Sequence, residues 1–298
     1  MDIFKHPVLC YMKHFILLSC LLVISQYVAA QSKIRTPEIG IAQDYQHDSL
    51  LFASGYSHLV ESISKCLSPI KFSDDEFNAL VDTYKQLKVP IYAVNIFMPG
   101  ELKLVGATIK EDEILAYARK VFARCQRIGI TMVVWGSGGA RRVPDGFDPK
   151  TATKQFVNLA KKVASIAAEY DVRLALENLN RSETNFIVTV SEALNVVKLV
   201  DHPNFRLCAD IYHMLKEGEP AGILLKSRRY LIHCDIAEKD GRTAPGVKGD
   251  DFTTYLRALC KIKYSGVIVL ECRWSDINAQ ALAARVNLQR QLDQIYSQ

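Results

Sequence analysis

Along the chain, short apolar runs rich in β-branched residues alternate with longer stretches whose apolar positions recur at helical spacing. The first pattern marks strands and the second marks amphipathic helices. The alternation goes round eight times, and it predicts strands at Glu38–Ala42, Ser57–Glu61, Ile91–Phe97, Thr131–Trp135, Arg173–Glu177, Arg206–Asp210, Tyr230–Cys234 and Val267–Glu271. Between and after them it predicts helices at Asp48–Ala53, Asp74–Leu87, Glu111–Ile128, Pro149–Tyr170, Val190–Val200, Ala221–Lys226, Asp251–Ile262 and Ala279–Tyr296. Strict β-α alternation implies parallel strands, because each crossover helix returns the chain to the same end of the sheet. Eight such units give the expected fold class, α/β, as a single closed (β/α)8 TIM barrel.

Local signals fix several boundaries. Ser73-Asp-Asp-Glu76 reads as a capping box, Asp148 precedes a Pro suited to a first helical turn, and Gly129 and Gly266 follow helices where a C-terminal Gly is expected. The helix from Pro149 sets Phe156, Leu159, Ala160, Val163, Ala164, Ile166 and Ala167 on one face, with Lys154, Lys161 and Lys162 on the other.

The N-terminus breaks the pattern. Lys13 is followed by an apolar run from Phe15 to Ile24, with small residues at Val28 and Ala30. That order is expected of a secretory signal, and the run is shorter than the roughly 20 residues of a membrane span. Residues 1–30 are therefore expected to be removed before Gln31, leaving 31–298 as the barrel domain in a secreted or periplasmic protein with no membrane attachment. Removal takes away Lys5, Lys13 and Asp2, so the net charge falls from +5 to +4. A balance that mild, with no basic stripe, argues against a nucleic-acid partner. A composition of 49% hydrophobic and 23% charged residues suits a globular domain rather than a disordered one. Of eight cysteines six remain, without a C-x-x-C pair, and Cys208, Cys234 and Cys260 read as small core residues.

The candidate chemistry lies where apolar runs stop abruptly. Four successive predicted strands lead into Glu177, Asp210, His233 and Glu271. In a barrel the loops after the strands converge over one mouth, so strand-end groups become neighbours. Three carboxylates and an imidazole so placed would repel and desolvate badly without a cation. One divalent cation is expected, and mostly oxygen donors favour Mn²⁺ first, with Mg²⁺ and Co²⁺ as alternatives.

Glu177-Asn-Leu-Asn-Arg-Ser-Glu183, Asp210-Ile-Tyr-His213, His233 to Gly246, and Leu270-Glu271 together resemble the xylose isomerase-like barrel superfamily, above all its sugar isomerases and ketose 3-epimerases. The resemblance covers nearly all of the chain after residue 30. It implies that Glu177, Asp210, His233 and Glu271 hold the metal and that Glu177 and Glu271 also exchange the substrate proton. It further implies that Glu183 and His213 contact a sugar and that Arg242 is the basic residue of the loop after strand seven. The arginine comes later after His233 than in the ketose epimerases, and Lys239 stands nearer the usual offset.

The residue types support such chemistry directly. A cation on two adjacent oxygens of an α-hydroxy ketone acidifies the carbon-bound proton and stabilises the enediolate, so a carboxylate is base enough. Two carboxylates on opposite faces invert the carbon. The expected activity is a sugar isomerase or epimerase working on a small-molecule sugar, in a chain compatible with a homo-oligomer. Elimination from a 3-keto-glycoside by a lyase or hydratase uses the same acid proton and stays open. An endonuclease IV-like nuclease needs more histidines than the five after residue 30, and a non-catalytic sugar-binding barrel leaves the acid pair without a purpose. Glu61 and Asn95 close strands two and three as further candidates. Trp135-Gly-Ser-Gly-Gly-Ala-Arg-Arg142 reads as a turn, with an anion cradle built on Arg141 as the alternative, and Trp135, Phe97 and Tyr212 offer an apolar wall.

Overall fold

The computed structural model describes residues 34–297, so the expected signal segment lies outside the described residues. Eight parallel strands close into a barrel in chain order: β1 Glu38–Ala42, β2 Leu59–Ser62, β3 Ile91–Asn95, β4 Met132–Trp135, β5 Arg173–Glu177, β6 Phe205–Asp210, β7 Leu231–Ile236 and β8 Val267–Leu270. β1 pairs with β8 over Glu38 to Ile41, which completes the ring. Among the described residues no helix is long and apolar enough to cross a membrane.

Inside the barrel, Val60, Ala93, Met132, Val134, Ala175, Cys208, Val267 and Val269 form one buried cluster. A second layer lies between sheet and helices. Trp135 packs there within 5.2 Å of Phe97 and 5.4 Å of Phe156, and both Trp135 and Phe97 are fully buried. These two aromatics are therefore core, and of the expected apolar wall only Tyr212 approaches the site. Burying one such ring contributes roughly 2–3 kcal/mol, so Phe156→Ala would cost at least that much.

The Ser73 capping box, the Asp148 cap on Thr151 and the left-handed Gly129 are all present. Gly266 has a different reason from the one expected. Lys263 makes the left-handed turn after its helix, whereas a Cβ on Gly266 would lie 2.8 Å from the Tyr264 hydroxyl. Three helices carry too few turns to show a period and escape the sequence pattern: Ile63–Cys66, Gly138–Arg141 and Ile211–Glu217. The six described cysteines are all free.

One boundary matters for chemistry. β7 runs to Ile236, two residues beyond the expected Cys234. His233 therefore sits inside the strand, paired with Cys208 of the barrel core, while Asp235 pairs with Asp210. A polar residue in an apolar run resembles a strand end, but here the barrel interior accepts it.

Candidate active site

Side chains two apart along a strand share a face. Ala93, Val134, Ala175, Cys208 and Val269 belong to the inner core, so the residues two further on, Asn95, Gly136, Glu177, Asp210 and Glu271, stand at the barrel mouth. On β7 the equivalent pair is His233 in the core layer and Asp235 above it. Glu177, Asp235 and Glu271 offer oxygens within 4.8 Å of one another, and oxygens of Glu177 and Asp210 lie within the same reach of each other and of a His213 ring nitrogen. His233 falls instead with Cys208 and Asp235. The structure thus gathers Glu177, Asp210 and Glu271 as expected and sets His233 one layer below them, with Asp235 at the β7 position.

Local sequence explains these placements. Gly136 is required because a Cβ there would come within 2.2 Å of a Glu177 carboxylate oxygen. Asn178 bridges the ends of β5 and β6, accepting from Asp210 N at 2.9 Å and donating to Asp210 O at 3.2 Å. Asp210 caps the helix Ile211–Glu217 by accepting from His213 N, which fixes the Asp-x-x-His pair. Arg141 is fully buried and donates to the carbonyls of Glu177 and Ile187 at 2.8 and 3.0 Å. Its charge is spent on backbone, so the Gly-rich stretch is a structural turn and not an anion cradle.

Arg242 comes into the mouth from the loop after β7, with a left-handed φ of 56°. It approaches Asp210 at 3.2 Å, Glu271 at 2.5 Å and Glu183 at 3.5 Å, and its guanidinium lies 4.7 Å above the Tyr212 ring. Lys239 is exposed to solvent. Glu238, fully buried, gathers the loop: its carboxylate accepts from the backbone N–H groups of Gly246, Lys248 and Gly249 and from the Thr243 hydroxyl.

Burial pushes the Glu177 carboxyl well above its usual range, and the charges of Glu271, Asp210 and Asp235 push it further. Burial likewise lifts Asp210 to about 7 and Glu271 to about 8, with Arg242 opposing both. Asp235 behaves differently. Burial raises it too, but the His233 charge and hydrogen bonds from His233 and Cys208 leave it below the usual value. His213 is driven down to about 3 by burial and then by Arg242, so its ring is neutral.

Glu177, Glu183, His213, Arg242 and Glu271 line a cavity of about 260 Å³ with Asn95, Ile96, Ser137, Gly138 and Leu179. Asn95 donates to Glu271 at 2.9 Å. Ile96 is 57% exposed and holds φ at 53°, a strained backbone for a β-branched residue of the kind found at functional sites. Glu61 does not line the cavity; its oxygens accept from Tyr45 N and Ser62 N. A larger surface crevice between Pro149 and Leu199 contains one carboxylate, Glu192, and no comparable cluster.

Carboxylate oxygens crowded into a buried mouth are the donor set a hard divalent cation takes, so the site fits one. The sequence signature of the xylose isomerase-like TIM barrel spans residues 58–292. The chain belongs to that family. It is 31% identical over 132 residues to a ketose 3-epimerase from Arthrobacter globiformis, a match covering 44% of this chain and 45% of that one. It is 28% identical over 136 residues to a 3-dehydro-D-guloside 4-epimerase from Escherichia coli, covering 44% and 52%. The chain thus matches about half the length of these relatives. The structure of an L-ribulose 3-epimerase superposes with a TM-score of 0.74 at 18% identity, over 88% of this chain and 96% of that one, and so shares the fold.

Proposed function

We propose that this protein is a divalent-metal-dependent sugar epimerase that acts by proton transfer next to a carbonyl. The observation that carries the reading is the pair Glu177 and Glu271, a buried and a partly buried carboxyl within 4.8 Å of each other, both with raised proton affinity, facing one cavity. A carboxyl whose pKa lies near the working pH can both take and return a proton. The relatives named as epimerases of ketoses and of a dehydro-guloside support this class of reaction.

Glu177, Asp210 and Glu271 would hold the cation from β5, β6 and the end of β8. Bound there, a divalent ion supplies charge stabilisation for oxygens beside the carbon acid. The remaining work belongs to the chain. One of Glu177 and Glu271 removes the carbon-bound proton and the other delivers a proton to the opposite face. Arg242 offsets negative charge that develops on the substrate oxygens, and the neutral His213 offers an N–H to a hydroxyl. Glu183, exposed at the rim, accepts from sugar hydroxyls further out.

A second reading, in which the same acid proton leads to change at a keto-glycoside, is favoured by the dehydro-guloside epimerase relative. One experiment separates the two. The Mn²⁺-loaded protein is incubated in D₂O with free ketoses and with 3-keto-glycosides, and products are followed by NMR. Deuterium entering one carbon beside the carbonyl, with the epimer accumulating, is expected. Loss of an aglycone instead assigns elimination, and no carbon-bound deuterium in either substrate class sinks the proton-transfer reading. Export is part of the same proposal and rests on the segment before Gln31; a secreted protein whose mass begins at residue 31 is expected.

A further inference from the structure

The resemblance expected an imidazole among the groups that hold the cation. Two histidines are close enough to be that imidazole, and the hydrogen bonds around each one turn it to another task. His233 is fully buried in the barrel, with its ring stacked 5.9 Å from Tyr92. Its Nε2 lies 3.0 Å from one Asp235 oxygen, while the Cys208 thiol donates to the other at 3.2 Å. Asp235 is thereby gripped at both oxygens from below. Each carboxylate oxygen has a second lone pair to offer, and these remain available at the mouth beside Glu177 and Glu271.

His213 is committed from its other nitrogen. Asn180 Oδ1 accepts from Ser182 N at 2.9 Å, which fixes the amide so that Asn180 Nδ2 is the group 2.8 Å from His213 Nδ1. An amide N–H donates, so His213 Nδ1 accepts and the ring proton is on Nε2. That N–H, fully buried and without a partner, is directed at the mouth, 3.3 Å from Asp210 and 3.8 Å from Glu177. A protonated nitrogen cannot ligate a metal. It is a donor waiting for an acceptor such as a substrate oxygen.

We propose that the cation site of this protein is built entirely of carboxylates, Glu177, Asp210, Asp235 and Glu271, with His233 as the residue that positions Asp235 and not a ligand. This rests on the metal-dependent reading above and sharpens it. An all-oxygen set favours hard cations such as Mn²⁺ and Mg²⁺ over those that draw on imidazole. The signal in the sequence is the acid that ends His233-Cys-Asp235, which stands two residues nearer the mouth than the histidine.

Pulsed EPR on Mn²⁺ bound to the wild-type protein tests the ligand set without any substitution. No directly coordinated nitrogen is expected. Calorimetric Mn²⁺ titrations of folded variants give the second readout. His233→Gln keeps an N–H for Asp235 and is expected to bind within a few-fold of wild type, whereas His233→Leu, which removes it, weakens binding about 10- to 100-fold, as loss of an orienting partner does. Asp235→Asn is expected to weaken Mn²⁺ more than either. A nitrogen coupling that disappears in His233→Gln or in His213→Asn overturns the proposal, as does Mn²⁺ affinity unchanged in Asp235→Asn. A wild-type protein that binds neither Mn²⁺ nor Mg²⁺ fails the metal reading as a whole, whereas nitrogen-ligated Mn²⁺ fails only the present inference.

Discussion

At the level of single residues, the mouth is governed by close approach and charge. Gly136 leaves room for the Glu177 carboxylate, and a methyl group there would overlap an oxygen at 2.2 Å. Gly136→Ala is therefore expected to displace Glu177 and cut turnover by about 100-fold or more, as loss of a positioned acid or base does, with little change in melting temperature. A variant that keeps wild-type rates would show that Glu177 tolerates displacement. Glu177→Gln and Glu271→Gln separate the two proton carriers. Each is expected to abolish epimerisation, while one of them retains exchange of the substrate proton with D₂O, because removal and return use different side chains. If both variants turn over normally with Mn²⁺ bound, neither carboxylate has the proposed role.

At the level of elements, the loop after β7 ties the barrel to its substrate. Glu238 gathers four of that loop's donors, and the loop brings Arg242 to Asp210, Glu183 and Glu271. Glu238→Gln replaces one accepting oxygen with a donor against those N–H groups. The expected result is faster hydrogen exchange at residues 243–250 and a raised KM, with Mn²⁺ affinity held within a few-fold; an unchanged KM would show that Arg242 is fixed without Glu238. The same loop shows what the sequence made legible and what it hid. The strands and long helices were readable because their periods repeat, and Glu177, Asp210 and Glu271 were readable because each follows an apolar run. Asp235 was not, since His233 two residues earlier already resembled a strand end and nothing local reports that a barrel interior accepts an imidazole. Counting by two from Cys208 and its partner His233 would have reached it. Trp135 misled for the converse reason, because strand residues alternate between mouth and helix layer and it faces the helices, whereas Phe97 lies past the end of β3, beyond the left-handed Ile96, and packs against Trp135.

At the level of the whole molecule, the acid cluster links stability to pH and to metal. In the folded chain without a cation, Asp210 titrates near 7 and Glu271 near 8, and Glu177 is held well above the usual carboxylate range, all raised chiefly by burial. In the unfolded chain the same groups titrate near 4. Between those values the folded state holds protons that the unfolded state has released, so unfolding releases protons and stability must fall as pH rises. The contribution is complete below about pH 4 and is lost as pH climbs through 7 and 8, with a slope of up to about 1.4 kcal/mol per pH unit for each group involved. A bound divalent cation reverses the balance, because it favours the ionised carboxylates and is absent from the unfolded chain. Urea midpoints measured in chelator should therefore decline from pH 5 to pH 8.5, and the stabilisation added by Mn²⁺ should grow over the same interval. A chelated protein whose midpoint is flat or rises would mean that the carboxylates are already ionised in the fold, with Arg242 alone balancing them, and that burial does not set the proton affinity of this mouth.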